Sequence, residues 1–298
     1  MIKKIKNKIT SLYIKLMLTD QQVIELRWKS AFGRKPDLRN PKTFNEKLTW
    51  IICNYRNQLY ELCSDKVEVR KYVESKGLSD ILIKKHAVYT SIDEIDIDKL
   101  PESFVIKTTH ASGGVVVIKD KRSADLIEMK KVLAKSMKQN LYKSAREWQY
   151  RNLTPRIIAE DYIKSAHEKS LKDYKIFCFD GKPRFIYVAT DTIKGGDYAV
   201  DFYDTEWNHL EAQRVGHSRS NGVKRPANLE EMLRIAEILS EGFIHVRVDL
   251  YNVDGKIYFG ELTFTTAAGT GTFIDEKWDL EFGKYMRLPI INYETRKA

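Results

Sequence analysis

Only three cysteines occur among the 298 residues, Cys53, Cys63 and Cys178, an odd number with no Cys-x-x-Cys pair. That excludes a disulfide framework and a thiolate zinc site. No run approaches the ~20 apolar residues that a membrane span needs. The N-terminus lacks an apolar core followed by a small-residue cleavage site, so the expectation is a cytoplasmic protein without a signal peptide. Walker A and G-x-G-x-x-G spacings are missing, as is a Ser-His-Asp or Cys-His signature. What is there is an ordinary globular composition, 43% hydrophobic and 31% charged, long enough for one large domain or two compact lobes. The net charge of +10 calls for an anionic partner. No nucleic-acid module accompanies it, and a nucleotide with an acidic substrate explains it at least as well.

The first residues stand apart. Ile2, Ile5, Ile9, Leu12 and Leu16 recur at helical spacing, with Lys3, Lys4, Lys6, Lys8 and Lys15 between them. This predicts a basic amphipathic helix over residues 1–18. Such a helix packs on its own domain or lies peripherally on an anionic membrane surface.

Residues 19–100 read as mainly helical. Thr43-Phe44-Asn45-Glu46 has the form of a capping box. Ser64 is expected to cap a helix through about Lys76, closed by Gly77. The pattern changes at Pro101. Ser103–Thr108 and Val115–Ile118 are short β-rich runs joined by the loop His110-Ala111-Ser112-Gly113-Gly114, and a helix over Ala124–Gln139 and a strand over Arg156–Ile163 follow. This β-β-α-β order suggests a small lobe over 101–165. A larger lobe over 166–298 opens with strands Tyr174–Phe179 and Arg184–Thr190 around Asp180-Gly181-Lys182-Pro183. A helix then runs from Asn228, with Glu231 three residues on, to Gly242, and a hairpin of Phe243–Leu250 and Lys256–Phe264 ends the series. Mixed helices and antiparallel hairpins give the class α+β.

The last hairpin carries the sharpest signal. Alternation puts His245, Arg247 and Asp249 on one side of the outgoing strand, and Glu261 and Thr263 lie on the return. A three-residue loop, Val253-Asp254-Gly255, would pair Asn252 with Lys256, Arg247 with Glu261 and His245 with Thr263. Arg247, Asp249, Glu261 and Thr263 would then share a face. A two-residue turn at Asp254-Gly255 would slip the register and send Glu261 to the other side. Two carboxylates and a neutral oxygen suit Mg²⁺, which takes hard oxygen ligands and completes its shell with phosphates and water. Read alone, the same residues also describe a solvated face with an Arg–Glu pair.

Three weaker signals precede it. Lys107 ends an apolar strand just before the glycine-containing loop, where a lysine and backbone amides can meet phosphate. Glu160, with the Asp161–Ile163 backbone, could meet a purine edge, or simply belong to an edge strand. Asp173 and Lys175 share a strand face, fit for ribose and phosphate or for a surface ion pair.

In this order the elements resemble the ATP-grasp superfamily, and within it the TupA-like branch associated with teichuronopeptide and other bacterial surface polysaccharides. The resemblance runs from about Asn40 to Pro289. It is carried by Asn40-Pro41-Lys42-Thr43-Phe44-Asn45-Glu46-Lys47-Leu48, Asp65-Lys66, Phe104-Val105-Ile106-Lys107 with Ser112-Gly113-Gly114, Asp173-Tyr174-Lys175-Ile176-Phe177, Val246-Arg247-Val248-Asp249-Leu250-Tyr251 and Gly260-Glu261-Leu262-Thr263-Phe264-Thr265. It implies that Lys66 and Lys107 are nucleotide lysines, Glu160 and Ile163 the adenine hinge, Asp173 the ribose contact and Lys175 a phosphate contact. Arg247 would steady the acyl phosphate, and Asp249 and Glu261 would hold two Mg²⁺. The third metal position, usually Asn in the superfamily, is Thr263, a departure that weakens ligation there.

The implied reaction is ATP-dependent amide formation through an acyl phosphate. It would join an amino acid or small amine to a hexuronic acid of a surface glycan or its precursor. His110, Lys194, His217, Arg219 and Arg225 are candidates for the acidic substrate, or are scattered loop charges. Two other functions compete. A glycosyltransferase would use the D-x-D of Asp96-Ile97-Asp98, although an acidic stretch before Leu100-Pro101 also reads as a linker. A membrane-associated scaffold would need no catalytic site, against which Lys107, Asp249 and Glu261 argue.

Overall fold

The computed structural model describes residues 18–167, 171–191, 198–220 and 222–290. Apart from Leu18, the basic helix expected over 1–18 lies outside the described residues, as does Lys194.

The N-terminal part is helical because its helices carry their own start signals. Helix α1 (Asp20–Phe32) opens on a capping box at Thr19 and closes on Gly33 at φ 70°. Helix α2 (Phe44–Asn54) opens on the expected box: the Thr43 hydroxyl accepts from the Glu46 amide, and the Glu46 carboxylate accepts from the Thr43 amide. The single helix expected from Ser64 to Lys76 is instead two, α3 (Gln58–Ser64) and α4 (Glu68–Ser75). Ser64 ends the first. The break comes from Asp65, whose buried carboxylate accepts from the amides of Val67 (2.8 Å) and Glu68 (3.0 Å) and so competes with helical bonding. The same carboxylate binds Thr109 and Arg156 at 2.8 Å each, which anchors the break, with Lys66 in it, to the neighbouring sheet.

That sheet contains β1 (Lys85–Tyr89), β2 (Phe104–Thr108), β3 (Val115–Ile118) and β4 (Ile157–Asp161), antiparallel in the order β1-β4-β2-β3. Strand β1 precedes Pro101 in a stretch that reads as helical. Helix α5 (Leu126–Met137) covers one face through Met129 and Leu133, and the short α6 (Leu141–Ala145) follows.

The larger sheet contains β5 (Asp173–Phe179), β6 (Lys182–Asp191), β7 (Tyr198–Asp204), β8 (His209–Leu210), β9 (His245–Val253) and β10 (Lys256–Thr263), in the order β10-β9-β5-β6-β7-β8. Helix α7 (Leu229–Ser240) packs on β5, β6 and β9. Asn228 stands at its N-cap without capping it; its side chain binds Gly255 O and Asn252 instead. Helix α8 (Lys277–Lys284) packs beside α2.

The opposite face of this sheet is covered at one end only. Phe177, Phe179 and His245 pack around Phe44 of α2, with ring centroids 5.3–6.0 Å from it. Two residues along on the same faces of β5 and β9 stand Lys175 and Arg247, and Asp249 follows at the next such position of β9. Burial of each of the three phenylalanine rings contributes about 2 kcal/mol, so the helix is held firmly at one end while the polar end stays open. That open end faces the smaller sheet.

Candidate functional site

The hairpin of β9 and β10 differs from the expected one in two places, and the differences cancel. Its turn is the two-residue Asp254-Gly255, both residues at positive φ (52° and 87°), with Lys256 opposite Val253. This is the Asp-Gly turn whose twist matches a hairpin. Left alone it would put Glu261 on the wrong face. A bulge at Gly260 corrects the slip: Phe259 pairs with Leu250, but Glu261 pairs with Asp249 and Thr263 with Arg247. The expected pairings of Arg247 with Glu261 and His245 with Thr263 are therefore replaced. A Cβ at Gly260 would stand 3.0 Å from the carbonyl oxygen of Asp249, so the bulge suits a residue without one.

The four side chains do share a face. Arg247 makes a fork with Asp249, Nε to Oδ1 and NH2 to Oδ2 at 2.6 Å each, and also reaches Glu261 Oε1 at 3.1 Å and Thr263 Oγ1 at 3.0 Å. Strand β5 adds Lys175, opposite Asp249, with Nζ 2.8 Å from Asp249 Oδ2 and in contact with Asp173. Burial would raise the Glu261 carboxyl, but Lys66, Arg247 and Lys175 outweigh it and bring it down to about 2. Burial alone would lower Arg247; Asp249 above all holds it above its ordinary value. Desolvation lowers Lys66 and raises Asp173.

A cavity of about 410 Å³ lies between the two sheets. Lys66, Lys107, Glu160, Ile163, Asp173, Lys175, Asp249 and Glu261 all reach it, with Val105, Val117 and Tyr251 as apolar and aromatic walls. The Glu160 carboxylate forms ion pairs with Lys107 (2.6 Å) and Arg70 (3.1 Å). Asp173 Oδ1 is buried without a hydrogen-bond partner among the described residues. Ser112 lines a different cavity, and Gly113 and Gly114 are not among the lining residues of the first. Gly114 approaches α5 so closely that an added Cβ would meet Ser136 Oγ at 2.3 Å.

Two further cavities open from the same charged cluster. One, about 470 Å³, is lined by Lys175, Tyr187, Arg214, His217 and Arg247; the other, about 420 Å³, by Arg27, Lys66, Glu147, Arg247, Glu261 and Thr263, among others. Of the acidic-substrate candidates among the described residues, only His217 is found here. His110 is buried, Arg219 pairs with Glu211 and Arg225 with Glu230 at the surface. Asp96 caps a single 3₁₀ turn and pairs with Lys99, which accounts for the D-x-D as local structure. Sequence reasoning missed Arg27, Glu147, Tyr187 and Arg214. The one signal nearby was the small-residue run Thr265–Thr272, where Ala267 and Ala268 adopt positive φ.

No cluster of three or more His, Cys, Asp or Glu side chains able to hold a metal occurs among the described residues. Two carboxylates are present, Asp249 and Glu261, and Glu261 is 41% exposed towards the cavity. Glu261 is the accessible donor for Mg²⁺, which binds through one or two carboxylates and takes its other ligands from phosphate and water, whereas both Asp249 oxygens are held by Arg247 and Lys175. The Thr263 hydroxyl donates to Glu261 Oε1 (2.9 Å) and accepts from Arg247, so its oxygen is already engaged.

Two antiparallel sheets closing on a cleft of lysines, an arginine and paired carboxylates define an ATP-grasp protein. The chain belongs to the TupA-like ATP-grasp family, whose model matches residues 46–287. It thereby has an α+β ATP-grasp fold. Among solved structures it is similar to D-alanine–D-alanine ligase from Bacillus anthracis complexed with ATP, at 21% identity over 68% of this chain and 55% of that one, with a TM-score of 0.41. It is similar also to D-alanine–D-alanine ligase from Helicobacter pylori, at 16% identity over 83% and 70% and a TM-score of 0.41. A third is the ATP-grasp ligase PsnB complexed with minimal precursor, at 10% identity over 71% and 54% and a TM-score of 0.38. The chain thus spans 55% of the length of the first of these structures. No curated protein matches it.

Proposed function

We propose that the chain is an ATP-dependent carboxylate–amine ligase that joins an amino acid or small amine to a hexuronic acid of a bacterial surface polysaccharide or its precursor. The observation that carries this reading is the meeting of three cavities at Lys66, Lys175, Arg247 and Glu261. A ligase of this kind has three reactants, and each cavity offers room for one.

The first cavity suits the nucleotide. Val105, Val117 and Tyr251 would flank the base, and the Asp161–Ile163 backbone would read its edge. Asp173 Oδ1, without a hydrogen-bond partner among the described residues, would accept from a ribose hydroxyl. Lys66, Lys107 and Lys175 would neutralise phosphate oxygens. Asp249 and Glu261 are the residues to hold Mg²⁺, two ions by the family resemblance, and the metal would supply charge neutralisation at the transferring phosphoryl group. The second cavity suits the carboxylate substrate, since Lys175, Arg214, His217 and Arg247 line it without any Asp or Glu.

A substrate carboxylate oxygen attacks the γ-phosphorus, the bond to the β–γ bridging oxygen breaks, and ADP leaves. The amine nitrogen then attacks the acyl carbon. A C–N bond forms, the C–O bond to phosphate breaks, and phosphate departs as the nitrogen loses a proton. Arg247, beside both the metal carboxylates and the second cavity, is placed to stabilise oxyanion charge in each step. No helix among the described residues is long and apolar enough to cross a membrane. The basic pattern of residues 1–18 supports work at the cytoplasmic side of the membrane, with peripheral contact.

The test is a screen of the purified protein with Mg-ATP, uronic acids and amines. ADP and phosphate release that needs both a carboxylate and an amine supports the reading. UDP release from a nucleotide sugar overturns it.

A further inference from the structure

We propose that the third cavity is the amine site, and that Glu147 and Arg27 make it specific for an amine that also carries an anionic group, an α-amino acid. This rests on the ligase reading above. The cavity reaches the reacting centre through Lys66, Arg247 and Glu261. Unlike the second cavity, it holds a carboxylate away from the metal pair, that of Glu147, which is 8% exposed.

The surroundings of Glu147 are built. Gln149 Nε2 donates to Thr265 Oγ1 (2.7 Å), and Thr265 Oγ1 donates to Glu147 Oε1. The Thr265 hydroxyl is fixed by both bonds, so one carboxylate oxygen is oriented. Glu147 Oε2 has no hydrogen bond among the described residues. Arg27, on α1, lines the same cavity and is held by Thr270 Oγ1 at 3.1 Å. Arg27 and Glu147 act on each other electrostatically but lie beyond the 4.0 Å of an ion pair. The gap between them is bounded by an oriented carboxyl group and a fixed cation, and an ammonium that displaces the proton from Glu147 makes the pair the complement of a zwitterion.

The energetics agree. A carboxylate buried with one hydroxyl partner is costly to ionise, and burial pushes the Glu147 carboxyl up to about 7. An incoming ammonium supplies the missing counter-charge. Arg27 precedes the segment 46–287 that the family's model matches, whereas Glu147 lies within it.

The test is calorimetric titration of the full chain, with Mg²⁺ and a non-hydrolysable ATP analogue, against α-amino acids with acidic, basic and apolar side chains and against matched amines lacking the carboxylate. The variants are Glu147→Gln, which keeps the acceptor for Thr265, Glu147→Asp as a second choice if the first does not fold, and Arg27→Met. Affinity for the ATP analogue serves as the check on folding. The wild type is expected to bind an amino acid. Glu147→Gln should weaken it about tenfold or more, and Arg27→Met should lower it to that of the matched amine. Binding of no amino acid, or equal binding by wild type and both variants, overturns the proposal. Failure of the ligase reading shows separately, as an absence of carboxylate-dependent ADP formation in the wild type.

Discussion

Replacing Glu147 by Gln should change the pH dependence of stability in a direction fixed by the structure. The carboxyl is raised from 4.5 to about 7, chiefly by burial, with the Thr265 hydrogen bond and Arg27 opposing. Between these values the folded protein keeps a proton that the unfolded chain has released. Stability therefore falls as pH rises through that window, and the cost is complete above about pH 7. A rise of this size corresponds to about 3 kcal/mol. Glutamine keeps the acceptor for Thr265 and carries no titrating proton, so the variant escapes the cost. Urea unfolding of wild type and variant without amine, at pH 4 and pH 8, isolates the effect because all other titrations cancel in the difference. The stability of the variant relative to wild type should be about 3 kcal/mol more favourable at pH 8 than at pH 4. An equal difference at both pH values would refute the burial argument, and a larger one at pH 4 would reverse its sign.

Three other outcomes follow from the site. Glu261→Gln should abolish ADP formation while leaving the near-UV circular dichroism of the folded protein in place; near-normal turnover would remove Glu261 from the metal assignment. Lys107→Met should weaken binding of an ATP analogue about tenfold by calorimetry, since on the proposed function it removes a cation that meets phosphate, and it leaves Glu160 with Arg70 alone. Gly260→Ala should cost about 1–2 kcal/mol in urea unfolding, because its Cβ would press on the Asp249 carbonyl at 3.0 Å; an unchanged midpoint would show that the bulge accommodates a side chain.

Much of the site was legible because it lies on strands. Alternation alone groups Asp173 with Lys175 and Arg247 with Asp249, and the strands do bring Asp173, Lys175 and Asp249 to one cavity, with Arg247 forked to Asp249 beside it. The return strand was harder. Its face depends on a turn and a bulge that each shift the ladder by one residue, and only their combination restores Glu261 to the side of Asp249. The three-residue loop was a simpler route to the same face. Ser64 was misread for a similar reason: a good capping residue by type, it ends one helix because Asp65, fixed by Thr109 and Arg156 from distant parts of the chain, draws off the next amides. Arg27, Glu147 and Arg214 lie on a helix and in loops far apart in sequence. No periodicity connects them, and only the packing of α1 and the Thr265–Thr272 segment beside β10 shows that they share walls with the strands.

The central claim is that a substrate carboxylate is activated by phosphorylation at the meeting point of Lys66, Lys175, Arg247 and Glu261. Oxygen transfer tests it most directly. With a uronic acid labelled by oxygen-18 in its carboxylate, Mg-ATP and an amine, turnover should place one labelled oxygen in the released phosphate, because the carboxylate oxygen that attacks phosphorus leaves with it. Phosphate free of label, in a reaction that yields product, would contradict the account.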